Sequence, residues 1–222
     1  MNAELVGNPD FGFIKFVLNQ GERLLVESGA MAAMDTDIGV QAQMMGGIVP
    51  SVMRRLLAGE SLLMGEYSSK RDGSRLQISP GIPGEVMQIP MTGSKSYFLQ
   101  AGSFLACTPG IQLNTVFGGL KAIFSGEGMF FLKVHGEGQL WVNAYGSVVE
   151  HDLQGGEFIV DTGHIVGWEE TVNWEISGMG NLFSTIFSGE GLVLRLRGNG
   201  KVWLQTRSLG GLAGWLSGYC RG

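Results

Sequence analysis

The sequence predicts an all-β protein made of three similar β-sandwich modules. Glycine-rich turn signals separate short apolar runs, helical periodicity is weak, and one short motif recurs along the chain. The 37 glycines among 222 residues follow no collagen-like period, so they indicate many turns and close backbone approaches. With 44% hydrophobic residues, the chain has material for a substantial core.

The recurring motif is Phe-Ser-Gly-Glu-Gly, at 124–128 and 187–191, with a degenerate copy, Ala-Gly-Glu-Ser, at 58–61. Neighbouring copies are about a third of the chain apart, which predicts three units of one kind. A second motif, a glycine followed by a small residue or His, precedes each copy at a comparable distance. The residues that mark the repeat are Gly59, Glu60, Gly126, Glu127, Gly128, Gly189, Glu190 and Gly191 in the first motif, and Gly29, Gly102 and Gly163 in the second.

The repeat divides the chain into units at 10–80, 81–151 and 152–208, followed by a tail at 209–222. Each unit is expected to hold five or six short strands. A Gly-Glu pair precedes an apolar run in each unit, and the middle unit carries an extra turn. The pairs lie at 21–22, 84–85 and 156–157, and the extra turn at 92–95.

After each Gly-Glu motif we expect a strand, a hairpin turn and a returning strand. The hairpin tips are expected at 72–73, 136–138 and 198–200. Before each motif runs a glycine-led apolar connection. In a ring these connections would emerge on one rim and suit a membrane surface, a lipid or a partner, or they would fill the interfaces between modules. They lie at 44–49, 116–120 and 179–183.

Several stretches together resemble a known family. They are ESGAMAAMD at 27–35, AGES at 58–61, FSGEGMFFLKVHGEGQLWV at 124–142, DTGHIVGW at 161–168 and FSGEGLVLRLRGNGKVWLQTR at 187–207. Their order resembles the mitochondrial-biogenesis family named for altered inheritance of mitochondria. The resemblance implies three domains similar to the tryptophan RNA-binding attenuation protein, each a shortened double-stranded β-helix. It also implies a homotrimeric ring and provides no catalytic residue.

Charge and composition limit the kinds of partner that this chain is expected to bind. The net charge of −5 argues against a broad phosphate-binding surface, so nucleic acid is an unlikely partner. Charged residues make up only 16% of the chain, which favours buried contacts between subunits. No basic leader precedes an apolar run, and no stretch reaches the roughly 18 apolar residues of a membrane span. We therefore expect a cytoplasmic protein.

No cofactor or metal is expected. Cys107 and Cys220 are far apart and form no CxxC pair, and three histidines provide no zinc-binding spacing. The glycine runs at 136–138 and 178–180 lack the further glycine and the βαβ setting of a dinucleotide fingerprint. Hairpin turns explain them better.

Two kinds of residue invite a catalytic interpretation. The three repeated glutamates would fall one in each module, so the Gly-Glu motifs indicate structural corners more than a ligand-binding or catalytic site. His164 follows Asp161, an arrangement that suggests an oriented base, but no nucleophile motif accompanies it. His135 and His151 add no metal pair, and a satisfied or surface histidine is the favoured interpretation.

The sequence therefore predicts a non-enzymatic β-ring scaffold or binding protein, most simply a homotrimer, that contacts a membrane surface or a protein. The alternative is a small ligand, or less readily RNA, bound between adjacent modules. An enzyme has the least support, because no catalytic set can be assembled from the motifs.

Overall fold

A computed structural model of the chain describes residues 1–44, 63–117, 130–178 and 192–220. These residues are predominantly β-strand, which confirms the all-β prediction. The strands are β1 Asn2–Val6, β2 Phe13–Leu18, β3 Arg23–Glu27, β4 Met31–Met34, β5 Ile38–Met44, β6 Leu63–Ser69, β7 Ser74–Ile78, β8 Val86–Thr92, β9 Tyr97–Gln100, β10 Phe104–Cys107, β11 Ile111–Phe117, β12 Phe130–Asn143, β13 Val148–Asp161, β14 Ile165–Glu169, β15 Val172–Gly178 and β16 Leu192–Gln205. Two single 3₁₀ turns, Ala101–Ser103 and Thr162–His164, precede β10 and β14, and a helix, α1, covers Leu209–Ser217.

The strands form large antiparallel sheets. One sheet has four strands in the order β1-β2-β7-β4, and the other has twelve. In the first third of the chain, β7 pairs with β2 and β4, while β6 pairs with β3 and β5. In the second third, β12 alone pairs with β8, β9, β10 and β11. In the last third, β16 pairs with β14, with β15 and along both halves of β13.

The predicted hairpins are wrong. Residues 136–138 and 198–200 lie inside the continuous strands β12 and β16, and β6 and β7 pair with other strands rather than with each other. The glycines have positive φ, 114° at Gly136 and 119° at Gly198, so they bend the strand without reversing it. A bent strand can therefore pair on both sides of the bend with different partners.

The Gly-Glu pairs do not all lie in equivalent turns. The pair at 84–85 precedes β8, whereas the pair at 21–22 lies in the turn between β2 and β3. The residues at 92–95 form the turn between β8 and β9, so they are a regular connection and not an insertion. The two pairs look alike in sequence because both place a glycine beside an apolar run.

Three short strands share an irregularity. The register of β4 shifts between Met31 and Ala33, and that of β10 shifts between Phe104 and Ala106. The register of β14 shifts between Ile165 and Gly167. A β-bulge of this kind bends a strand and increases its twist. Each bulge follows one of the glycines Gly29, Gly102 and Gly163, so the second sequence motif marks a recurring structural feature.

The core lies between the sheets and joins successive thirds of the chain. Trp141 of β12 packs edge-on against Phe16 of β2, with ring centroids 4.9 Å apart. Trp168 of β14 stacks on Phe98 of β9 at 5.5 Å and meets Phe131 of β12 at 4.8 Å. Both tryptophans are buried, so they hold neighbouring thirds together through apolar contact.

Replacement of Gly136 by alanine tests the bent strand. A Cβ at this position would lie 2.3 Å from the carbonyl oxygen of Gly110, and the backbone has a positive φ. We expect Gly136→Ala to lower the free energy of unfolding by at least about 2 kcal/mol in chemical denaturation. Gly81→Ala is the control, because Gly81 has no heavy atom within 4 Å of the added carbon. Equal stability of the two variants would contradict the strained bend.

Candidate functional site

All three copies of the Phe-Ser-Gly-Glu-Gly motif, including the degenerate copy, lie outside the described residues. This holds for Gly59, Glu60, Gly126, Glu127, Gly128, Gly189, Glu190 and Gly191, and for most of the apolar connections. The interpretation of these motifs as structural corners therefore stays a prediction.

The three upstream glycines have turn roles in the described structure. Gly29 has φ of 88°, in the turn between β3 and β4. Gly102 and Gly163 lie in the 3₁₀ turns before β10 and β14. The Gly163 amide donates to the carboxylate of Asp161 at 2.7 Å, which caps that turn. Asp161 thus acts on the backbone of the turn.

The histidines have packing and backbone contacts. His164 Nδ1 lies 2.8 Å from the carbonyl oxygen of Gln205. The imidazole of His151 stacks on Phe158, with ring centroids 4.1 Å apart. His135 Nδ1 is buried without a hydrogen-bond partner in the described structure. None of these contacts joins a histidine to a nucleophile or to a carboxylate.

Several of the carboxylates that the structure describes are paired with cations. The hydrogen bond from Arg75 lowers the pKa of Asp35, and those from Arg195 and Arg197 lower the pKa of Glu157. Burial raises the pKa of Glu27, at the end of β3, to about 7. Within the described ranges no three His, Cys, Asp or Glu side chains come together as a metal site.

The most informative geometry lies where thirds of the chain meet. β3 pairs with β10, with Val26 opposite Ala106 and Leu25 opposite Cys107. β9 pairs with β14 in the same way, with Leu99 opposite Gly167 and Phe98 opposite Trp168. Each junction therefore pairs the strand before the glycine turn of one third, β3 or β9, with the strand after the glycine turn of the next third, β10 or β14. The sheet is continuous across each junction.

The side chains at these junctions are buried. Leu25, Cys107 and Trp168 are all inaccessible or nearly so, and Phe98 packs on Trp168 and Trp174. The burial of Cys107 raises the pKa of its thiol to about 12. Backbone pairing and apolar contact thus act together at both junctions.

Among the strand edges without a partner in the described structure are two that match the edges joined at these junctions. β4 pairs with β7 alone, and the second half of β13, residues 157–161, pairs with β16 alone. Met34 on β4 is 39% exposed and Ile159 on β13 is 44% exposed. An edge strand offers unpaired N–H and C=O groups to another chain, and here each edge also presents apolar side chains.

Ion pairs flank both edges and leave their apolar centres uncharged. Beside β4, Arg75 Nη2 lies 3.0 Å from Asp35 Oδ1. At the start of the β13 edge, Glu157 accepts from Arg195 at 2.6 Å and from Arg197 at 3.0 Å. The neutralised charges lower the cost of covering each edge.

A small polar pocket opens beside the second junction. Its volume is about 180 Å³, and its walls are Ser94, Lys95, Ser96, Glu169, Glu170 and Thr171. Glu169 accepts from Lys95 Nζ at 2.6 Å and from the Lys201 amide at 3.2 Å, and Glu170 accepts from Lys133. The charged groups of this pocket already have protein partners.

The sequence does not predict the open edges, and the helix α1 was not predicted either. The edges carry no local signal, because pairing is decided by strands far apart in sequence. The helix has a local signal: Ser208 is an N-cap whose hydroxyl accepts from the Gly211 amide at 3.2 Å. No helix in the described part of the chain has the length and apolar content needed to span a membrane.

Comparison with known proteins places these features in context. The family described as "Mitochondrial biogenesis AIM24" matches residues 3–207. An uncharacterised protein of Streptococcus pyogenes serotype M6 is 28% identical over 217 residues, covering 94% of this chain and 87% of the relative. A crystal structure of a Streptococcus pyogenes protein has a TM-score of 0.81 at 26% identity, covering 98% of this chain and 99% of that one. The resemblance predicted from the motifs is confirmed.

Thiol titration tests the environment of the two cysteines. Cys107 is buried and its pKa is raised to about 12, whereas Cys220 is exposed. At pH 8 we expect an aromatic disulfide reagent to modify one thiol per native chain and two after denaturation, because only a thiolate attacks the reagent. In the Cys220→Ser variant the native protein should react with none. Rapid modification of Cys107 in that variant would contradict the buried junction.

Proposed function

This chain belongs to the mitochondrial biogenesis AIM24 family, and we propose that it is a non-enzymatic scaffold that closes into a homotrimeric β-ring. The observation that carries the proposal is the pair of open edges, β4 and the second half of β13, which match the two edges already joined inside the chain. The ring presents its faces to a membrane surface or to a protein.

The first step is the equivalence of the three thirds as modules. In each third, four strand pairings are made by one long central strand, β12 or β16, or by the two shorter strands β6 and β7. Each third also has a bulge just after its glycine turn. Repeated register is difficult to explain by chance, since a slip of one residue would turn every side chain to the opposite face. These similarities support β-sandwich modules like those of the tryptophan RNA-binding attenuation protein.

The second step is a register for the contact between copies. Ala106 and Gly167 follow the bulges of β10 and β14 as Ala33 follows that of β4. Leu132 and Leu194, the partners of Leu99 and Val160, each lie four residues before a strand glycine. Val160 therefore takes the place of Leu99, and we infer that it pairs with Ala33 of the next copy.

The third step is burial. In the same register, Met34 takes the place of Cys107 and Trp168, which are both fully buried. Ile159 takes the place of Leu25 and Phe98 and lies opposite Met34 of the next copy. Met34 and Ile159 are thus more exposed at the two open edges than the side chains that take their places at the internal junctions. Pairing between copies would cover them and complete both sheets.

The fourth step is closure. The contact joins different surfaces on the two copies, so it is a head-to-tail contact that forms a ring when the rotation closes and a filament when it does not. The family resemblance implies a ring of three subunits, and three copies leave no edge of this kind open. We therefore propose the closed trimer.

A second candidate function is small-ligand binding between modules. The polar pocket formed by Ser94, Lys95 and Glu169 and their neighbours lies at a junction between modules, where this alternative places a ligand. Its small volume suits a compact polar molecule. A small molecule released on denaturation of the purified protein, and absent from a Lys95→Ala variant, would favour this alternative.

Light scattering tests the ring directly. We expect a mass of about three times 23.8 kDa for the wild type. Ile159→Lys should give the monomer mass, because it places a charge at the centre of the proposed contact. The side chain of Ile159 is already 44% exposed, so the substitution should not disturb the fold of the single chain. Val149→Lys is the matched control, since Val149 is 47% exposed on the other half of β13. A monomeric wild type would overturn the proposal.

Engineered cysteines test the register. In a Cys220→Ser background, Met34→Cys combined with Ile159→Cys should form covalent dimers and trimers when oxidised with copper phenanthroline. Directly opposite residues in an antiparallel pair have Cβ atoms about 4.5–5.5 Å apart, close enough for a disulfide. Met34→Cys combined with Val149→Cys should remain single chains on the denaturing gel. Equal cross-linking of both pairs would reject the proposed register.

A further inference from the structure

The helix α1 has no place in the core of the described structure. It contains Leu209–Ser217, and none of its residues is buried. Trp215 is 62% exposed and Tyr219, just beyond the helix, is 74% exposed. An isolated helix of this length is marginal in water, so packing against another surface must supply its stability.

The apolar side chains of α1 lie along one side. Leu212, Trp215, Leu216 and Tyr219 have the three- and four-residue spacing of a helical face. The rings of Trp215 and Tyr219 are 5.0 Å apart. Residues 208–220 contain no charged side chain, so covering this face requires no charge to lose its water.

The start of α1 lies beside the open β13 edge. Gln205, at the end of β16, donates from Nε2 to the carbonyl oxygen of Gly163 at 2.9 Å. A Cβ added to Gly163 would lie 3.1 Å from that of Ser208. Gly163 belongs to the turn that directly follows β13. The helix therefore leaves the protein body next to the edge proposed to bind the next copy.

The segment before α1 also matches the links between modules. After β7 and after β12, the chain crosses to the following third through 79–85 and 144–147. These links lie against each other: the Glu85 amide donates to Gly146 and the Ala144 amide to Glu85, both at 2.9 Å. The Thr206 amide donates to Ser147 at 3.1 Å and continues this row. In the proposed ring, the module that follows β16 belongs to the next copy. α1 therefore lies at the point where the other links cross from one module to the next.

The first module has exposed apolar side chains at the corresponding place. Phe11, in the loop before β2, is 73% exposed, and the amide of the adjacent Gly12 donates to Gly84 in the row of links. Met31 begins β4 directly after the Gly29 turn and is also exposed. In the proposed register, both would face the point at which α1 leaves the preceding copy.

From these observations we propose that α1 is a clamp that packs across the junction onto the first module of the next copy. Its apolar face covers Phe11 and Met31 of that module and shields the β4–β13 pairing from water. The inference rests on the proposed ring, and it assigns the occupant of the helix face to a second copy of this chain.

The first test compares the dissociation of trimers on dilution by sedimentation velocity. A chain ending at Ser208, and the double variant Leu212→Ser/Trp215→Ser, should dissociate at concentrations at least tenfold higher than the wild type. Gly214→Ala is the control, because Gly214 has no heavy atom within 4 Å of an added Cβ. Unchanged dissociation of both helix variants would overturn the clamp and leave the ring intact.

The second test measures the surroundings of Trp215 through the difference in emission between the wild type and Trp215→Phe. The clamp requires blue-shifted, iodide-protected emission in the trimer and exposed emission in the monomeric Ile159→Lys chain. Exposed emission in both proteins would overturn the clamp. If the wild type itself is a monomer, the ring fails and the clamp fails with it.

A vesicle assay separates the clamp from a membrane anchor. Phosphatidylcholine vesicles should leave the wild-type trimer in the unbound fraction on flotation, because its apolar helix face is covered. Flotation of the wild type that is lost on truncation at Ser208 would assign the helix face to a lipid surface and overturn the clamp.

Discussion

Backbone pairing at strand edges is the constraint on which this structure depends. A strand edge presents N–H and C=O groups that need partners, and the chain meets this need by joining β3 to β10 and β9 to β14. Each junction contains only two or three residue pairs, so buried side chains such as Leu25 and Trp168 must add apolar contact. The same requirement remains at β4 and at the second half of β13, where the proposed contact between copies would meet it.

The bent strands β12 and β16 pair with the strands that meet at these junctions. Each of these strands has 14 residues and pairs with other strands on both sides of its glycines. One strand thus does what two separate strands, β6 and β7, do in the first third of the chain. A continuous strand transmits the position of one junction to the next. In the proposed ring, the geometry of the assembly would follow from these repeated backbone contacts.

The surface of the described residues supports the proposed structural role. Charged side chains beside both open edges pair with each other, as Glu157 does with Arg195 and Asp35 with Arg75. Exposed apolar side chains include Met34 and Ile159 at the two open edges and several residues of α1. Function in such a protein comes from which surfaces meet, and the proposed clamp adds a contact that no strand can provide.

The sequence by itself determined the all-β class, the family and the glycines Gly29, Gly102 and Gly163, because turn conformation and apolar patterning are local properties. It misplaced the hairpins, since a glycine with positive φ can bend a strand as well as reverse it. The tertiary structure alone decided which edges are paired, as with Val26 and Ala106, and which remain open, as at Met34 and Ile159. Strand pairing joins residues distant in the chain, and its register depends on packing that no single segment contains.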